Sequence, residues 1–208
     1  MFKKTVIALS LVSLSGAALA AAPVANLKVT GTITPPTCTI KGQNSVDIEY
    51  VFDVSPGMFP VSGNLALEPK TNSIEVICDA ATYLTFTSTD NRASSVLTES
   101  IYNFGLGLFD TDKKVGFYTI NMKNATVKQD STSTAQSVGI SNGATYGTTM
   151  FADKTKKLAW ATAASTLKAG QVFTADLDVR PTLSAALKTS SGDAHLDGYA
   201  TLAFAFSL

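Results

Sequence analysis

Apolar and polar residues alternate with a period of two along most of this chain, in short runs separated by turn residues. Residues 46–51 (VDIEYV), 73–78 (SIEVIC) and 83–88 (YLTFTS) all alternate. The corner Asp79-Ala80-Ala81 between the last two runs predicts a connected pair of strands. Residues 102–109 are aromatic and interrupted by Gly105 and Gly107, and residues 115–122 alternate again. Residues 157–160 (KLAW) give a short strand and residues 172–179 a longer one. Successive side chains of a strand take opposite faces, so this pattern describes the half-buried strands of antiparallel sandwich sheets. Helical signals are weak: residues 131–138 and 161–167 hold some Ala and Gln, but no apolar stripe at three-to-four spacing. Residues 53–64, with Pro56, Gly57, Pro60 and Gly63, read as loop. The polar residues 123–149 read as a long excursion with at most short strands. The expectation is a single all-β domain with no internal repeat.

The two ends carry the strongest alternation. In residues 27–38 (LKVTGTITPPTC), Leu27, Val29, Gly31 and Ile33 share one face, while Lys28, Thr30, Thr32 and Thr34 share the other. The run ends in Pro35-Pro36. A strand here is either the first strand of the sandwich or one lent to a neighbour. At the other end Gly198 opens a strand with Ala200, Leu202, Phe204, Phe206 and Leu208 on one face. Thr201, Ala203, Ala205 and Ser207 occupy the opposite face. An apolar strand this long needs a partner on both edges, or it becomes an aggregation site. It is either a central strand of a closed sandwich or one whose neighbour is missing from its own chain.

The first twenty residues predict export. Lys3 and Lys4 precede an apolar stretch, and Ala18-Leu19-Ala20 matches a small-residue cleavage site. That stretch is short for a bilayer span, and no later segment is apolar enough for one. Removing the leader takes away Lys3 and Lys4 and leaves 14 basic against 16 acidic residues. Such a balance offers no electrostatic footprint for nucleic acid or anionic lipid. The cysteines, Cys38 and Cys78, are even in number, which in an exported chain suggests a disulfide. Two buried thiols or a metal site are the alternatives, although His195 is the single histidine. A disulfide closing that loop would contribute roughly 4 kcal/mol in the chain-entropy account.

Little else carries chemistry. His195 lies near Ser191, Asp193 and Asp197, but a catalytic triad is a spatial arrangement, and this cluster reads as a solvated turn before the last strand. Zinc or copper chemistry would need several histidines. Asp90-Asn91-Arg92 fits a strand-to-loop turn, with Arg92 in an ion pair or bonded to backbone carbonyls, better than a carboxylate-binding or calcium loop. Trp160 and Phe151 are candidates to line a sugar site, against the ordinary expectation of a core tryptophan. Asn124-Ala125-Thr126 matches a glycosylation pattern short enough to arise by chance. The expectation is a non-enzyme without cofactor or metal.

With these residues in view, the chain resembles a chaperone–usher fimbrial (pilus) subunit. Members of that family share an export signal and an alternating N-terminal extension with a glycine on its apolar face. A cysteine follows seven residues later; Gly31 and Cys38 match that spacing. A second cysteine ends an early strand, matched by Ile74, Val76, Cys78 and Asp79. A glycine then opens an alternating C-terminal strand, matched from Gly198 to Leu208. Residues 78–81, 87–95 and 104–107 are also similar to motifs of a group of fimbrial-like enterobacterial proteins of unknown function. Two positions depart from the usual pattern: Ser207 stands where a tyrosine is common, and Gly198 lies nearer the end.

The resemblance implies an immunoglobulin-like (pilin-type) antiparallel sandwich that is incomplete and finished by a donated strand. Residues 1–20 would be the signal peptide, 21–36 the donor extension and 37–208 the sandwich. Leu27, Val29, Gly31 and Ile33 would be donated. Gly198, Ala200, Leu202, Phe204, Phe206 and Leu208 would form the accepting, chaperone-binding strand. Main-chain bonds would cap Thr39-Ile40 on one side of the groove and residues 202–206 on the other. The implied partners are a periplasmic pilus chaperone, an outer-membrane usher and neighbouring fimbrial subunits. The implied location is the periplasm and then the fimbrium at the cell surface, as a structural or minor subunit contributing to adhesion. The alternative is a stand-alone periplasmic or surface binding module for a glycan or protein, closed by its own residues 27–33.

Overall fold

The computed structural model describes residues 23–190 and 194–207. The expected leader at residues 1–20, the residues Ser191 and Asp193, and the strand end Leu208 lie outside the described residues. The chain divides into two units, one ending at Thr34 and one beginning at Pro35. In the first, residues 23–34 belong to no strand, and Leu27, Val29 and Ile33 are 97–98% exposed.

The second unit is all β. Its strands, in chain order, are β1 (Cys38–Ile40), β2 (Leu65–Ala66), β3 (Lys70–Asp90), β4 (Phe104–Gly105), β5 (Leu108–Phe109), β6 (Lys113–Lys114), β7 (Gly116–Lys128) and β8 (Gln136–Ser137). They continue as β9 (Gly139–Ser141), β10 (Tyr146–Gly147), β11 (Thr149–Phe151), β12 (Lys157–Ala163), β13 (Thr166–Leu167), β14 (Ala169–Leu183) and β15 (Ala200–Ser207). Between them lie loops and three short 3-10 turns, with no α-helix among the described residues. All but the β5–β6 pair join one strongly curled antiparallel sheet, ordered β10-β9-β12-β3-β14-β7-β11.

Strand β3 sets the architecture. Its first half pairs with β1 and β14, through Cys38↔Cys78 and Phe173↔Val76, and its second half pairs with β12 and β15, through Leu158↔Phe86 and Phe204↔Phe86. The hairpin expected at Asp79-Ala80-Ala81 is therefore absent; one strand of 21 residues runs through the corner. The physical reason is local. Asp79 is the one turn-favouring residue of the three, and its carboxylate is instead taken by the Thr37 amide; neither alanine supplies the left-handed or fixed φ of a tight reversal. The buried parity is also the same on either side of them, with Ile74, Val76 and Cys78 before and Thr82, Leu84, Phe86 and Ser88 after, although the three corner residues are themselves exposed.

The polar excursion expected at 123–149 is corrected at its start; beyond Lys128 it holds only short strands, as expected. Strand β7 continues to Lys128, burying Ala125 and Val127. Asn124 takes a left-handed φ of 51°, where the β7–β14 register shifts between Thr174 and Asp176. That bulge lets a strand of polar outward residues keep its inner face on the core. The weak helical stretch 161–167 is the end of β12 and all of β13. Residues 46–51, expected as a strand, alternate in burial but belong to no ladder.

One hydrophobic cluster fills the curl. Trp160 lies at its centre, 1% exposed, between Phe86 and Phe173 with ring centroids 6.2 Å and 5.6 Å away. Its Nε1–H donates to the Thr174 carbonyl at 2.7 Å. The tryptophan is thus a core residue whose polar edge is satisfied by a main-chain acceptor.

Candidate functional site

Two backbone edges face each other across a groove of about 800 Å³ in the second unit. Its floor is apolar and buried, built by Ile74, Val76, Leu84, Ile120, Leu177 and Val179. One wall begins at Cys38 and Ile40 and continues through residues 44–50 and Phe52. The other wall is Gly198 through Phe204, with Phe206. Side chains alternate along an extended chain, yet consecutive residues of both walls line the groove. The main chain itself therefore borders the space on either side.

Both walls are short of backbone partners. Among the described residues, strand β15 pairs with β3 alone, which leaves its other edge open. Residues 44–54 make no backbone–backbone hydrogen bond among the described residues. Side chains hold this wall instead. Asn72 Nδ2 donates to the Glu49 carbonyl at 3.1 Å, and Lys70 Nζ donates to the Val51 carbonyl. The Tyr50 hydroxyl reaches across to donate to the Leu177 carbonyl at 2.9 Å. Burial pushes the Tyr50 phenol up to about 12, so it stays a neutral donor over the ordinary pH range.

The wall at β15 is positioned by its entry. Arg92 donates to Asp197 through Nε at 2.8 Å and Nη2 at 3.0 Å, and Asn91 Nδ2 donates to Thr201 Oγ1 at 2.9 Å. Asp90 closes the turn, accepting from the Arg92 and Gly105 amides at 2.9 Å and 3.0 Å. The Asp90-Asn91-Arg92 segment therefore works as a clasp on the start of β15. Gly198 has no room for a side chain: a Cβ there would sit 2.8 Å from the Tyr118 ring and 3.0 Å from Leu106.

Of the expected accepting residues, Gly198, Ala200, Leu202, Phe204 and Phe206 lie along one edge of the groove. Ala200, Leu202 and Phe204 are half-buried against the core, Phe204 at 5.4 Å from Phe86, while Phe206 is 39% exposed. Cys38 and Cys78 form a disulfide across the β1–β3 ladder. Asp79 brackets the start of β1, accepting the Thr37 amide at 2.9 Å through Oδ1 and donating its own amide to the Thr37 carbonyl. Leu27, Val29, Gly31 and Ile33 take part in no ladder, and the space a Gly31 Cβ would occupy is open.

His195 is exposed on the loop before β15, and Asp197 is engaged by Arg92. No group of three or more His, Cys, Asp or Glu able to hold a metal gathers among the described residues. No helix there is long and apolar enough to cross a membrane. Sequence reasoning missed the wall at 44–52 as a groove edge. Its signal was available: an alternating strand-like run with no partner run of its own. Compared with known families and curated proteins, the chain matches no family model and no curated relative.

Proposed function

We propose that this protein is a structural or minor subunit of a chaperone–usher fibre, assembled by strand donation. The observation that carries this reading is the groove: an apolar floor between two main-chain edges without backbone partners. Adding one extended strand would satisfy both edges at once, which is the physics of β-strand addition. On this reading the curled sheet is an incomplete immunoglobulin-like sandwich. A periplasmic chaperone strand fills it first, and the extension of a neighbouring subunit replaces that strand.

The arm has the matching composition. Leu27, Val29 and Ile33 lie on one face and are almost fully exposed. Each would gain roughly 1.5–3 kcal/mol on full burial in another subunit's groove. Gly31 on the same face would admit close approach at a narrow point of the groove. Export, the periplasm and then the cell surface follow as the location, with chaperone, usher and neighbouring subunits as partners. The reaction is exchange of strands and needs no catalytic side chain.

The direct test adds a synthetic peptide of residues 27–34 to the chain lacking residues 21–34. Binding to the native groove should raise the thermal midpoint with peptide concentration. A peptide with Val29 and Ile33 changed to Asp should leave it unmoved. Equal midpoints with and without the native peptide would overturn strand donation.

A further inference from the structure

We infer that a second cleft, sharing no lining residue with the groove, is a binding site for a neutral saccharide. It encloses about 330 Å³, at the lower end of the range of ligand pockets, roughly 300–1,000 Å³. Tyr102, Tyr146 and Phe151 line it and are 39%, 47% and 48% exposed. Three half-exposed rings line it, Tyr146 and Phe151 from neighbouring strands and Tyr102 from a distant part of the chain, whereas Trp160 is in the core.

The rings are fixed in place. Tyr146 lies on the backbone of buried Gly139, where a Cβ would come within 2.4–2.7 Å of three atoms of the phenol. One side of that ring is thus held against main chain. Tyr102 and Phe151 pack together with centroids 6.2 Å apart. A rigid aromatic ring with an apolar body and a polar tip offers contact area at little conformational cost. The C–H face of a sugar ring is the complementary surface, and its hydroxyls need donors and acceptors around the rim.

Those groups are present and unoccupied. The hydroxyls of Tyr102, Tyr146 and Thr149 have no partner among the described residues. Asn142 accepts through Oδ1 from the Ala144 and Thr145 amides and from Thr145 Oγ1, at 2.9–3.1 Å, which leaves its Nδ2 unpaired. No Lys, Arg, Asp or Glu lines the cleft. A charged ligand would lose hydration there without a counter-charge, so the lining selects an uncharged, hydroxyl-rich one.

The test applies the exported full-length chain to arrayed neutral hexose and N-acetylhexosamine oligosaccharides, beside their sialylated and sulfated counterparts. The expected result is retention on neutral members. It should weaken about tenfold or more in Tyr146→Ala and in Phe151→Ala. Both variants should remain cooperatively folded, with at most a small fall in melting temperature from the lost ring packing, and should keep the wild-type response to the 27–34 peptide, because they do not touch the groove. Gly139→Ala, which pushes Tyr146 aside while keeping its chemistry, should weaken retention as well. No retention on neutral members, preference for the charged ones, or equal retention by both alanine variants would overturn the site. So would a wild-type dimer that Tyr146→Ala dissolves, because the face would then be an interface between copies.

Discussion

Arg92 and Asp197 are joined by two parallel hydrogen bonds, Nε to Oδ2 at 2.8 Å and Nη2 to Oδ1 at 3.0 Å, and this fork ties the turn after β3 to the loop that leads into β15. Both side chains are well exposed, at 40% and 59%. Exposed pairs are screened by water and salt, so their worth to global stability is small. Their positional effect is local. Arg92→Ala should leave the thermal midpoint nearly unchanged while raising amide hydrogen exchange at the start of β15. Lysine at position 92 should restore little, because it lacks the planar two-point fork. A large fall in midpoint, or unchanged exchange at residues 200–202, would show that the clasp has been misjudged.

The disulfide closes a separation of 40 residues between Cys38 and Cys78. In the chain-entropy account, a loop of that size is worth about 4 kcal/mol, with measured values commonly about 2–4. The pair joins directly opposed residues of β1 and β3, so it also holds the first part of one groove wall to the sheet. The double variant Cys38→Ala, Cys78→Ala should shift the urea midpoint down by a corresponding amount. It should also reduce stabilisation by the 27–34 peptide. Urea unfolding with and without peptide measures both effects.

Much of this fold is legible in the alternation of apolar and polar residues, and the failures have specific causes. The runs at 73–78 and 83–88 were correct as strand, but they are one strand. Ile74, Val76 and Cys78 lie on the same parity as Leu84, Phe86 and Ser88, and that shared parity marks continuity through an exposed acidic-alanine corner. Polarity concealed the end of β7, because Asn124, Thr126 and Lys128 face outward while Ala125 and Val127 fill the core. The groove wall at β15 was visible as an apolar strand in search of a neighbour. At 44–52 the alternating run was visible but its role as the facing wall was not, because an edge without a ladder is a relation between distant segments. The second cleft was half visible: Phe151 stood out, but nothing local connects it to Tyr102.

Tyr50 makes the groove wall sensitive to alkali. Burial raises its folded-state value to about 12 from an ordinary value of 10.0. The unfolded chain therefore ionises first, and its stabilising contribution is complete below about pH 10. It falls progressively as pH rises from there through about 12. Ionisation also removes the proton donated to the Leu177 carbonyl. Tyr118, whose phenol is likewise pushed up by burial, adds to the same trend at higher pH. Tyr50→Phe should cost about 1 kcal/mol near neutrality for the lost hydrogen bond. Its stability should then decline less steeply than the wild type between pH 10 and 12. Parallel slopes in denaturant titrations across that window would contradict the assignment.

The arm residues should separate folding from assembly. Leu27, Val29 and Ile33 are 97–98% exposed and join no ladder, and a side chain at Gly31 meets open space. Gly31→Val, or deletion of residues 21–34, should therefore leave the unfolding free energy of the domain from Pro35 onward within about 0.5 kcal/mol of wild type, as for other surface changes. The effect should emerge only when the arm is donated. Val at position 31 would put a branched side chain where the strand must approach the groove floor, and it should slow or abolish chaperone-released polymerisation. Ile33→Ala should weaken donation by about the burial of the lost methyl and methylene groups, roughly 1–3 kcal/mol. Polymerisation followed by gel or light scattering, beside urea unfolding of the same variants, reads the two effects independently. If removing the arm unfolds the domain, residues 27–33 belong to its own sheet, and the protein is a closed sandwich instead of a strand donor.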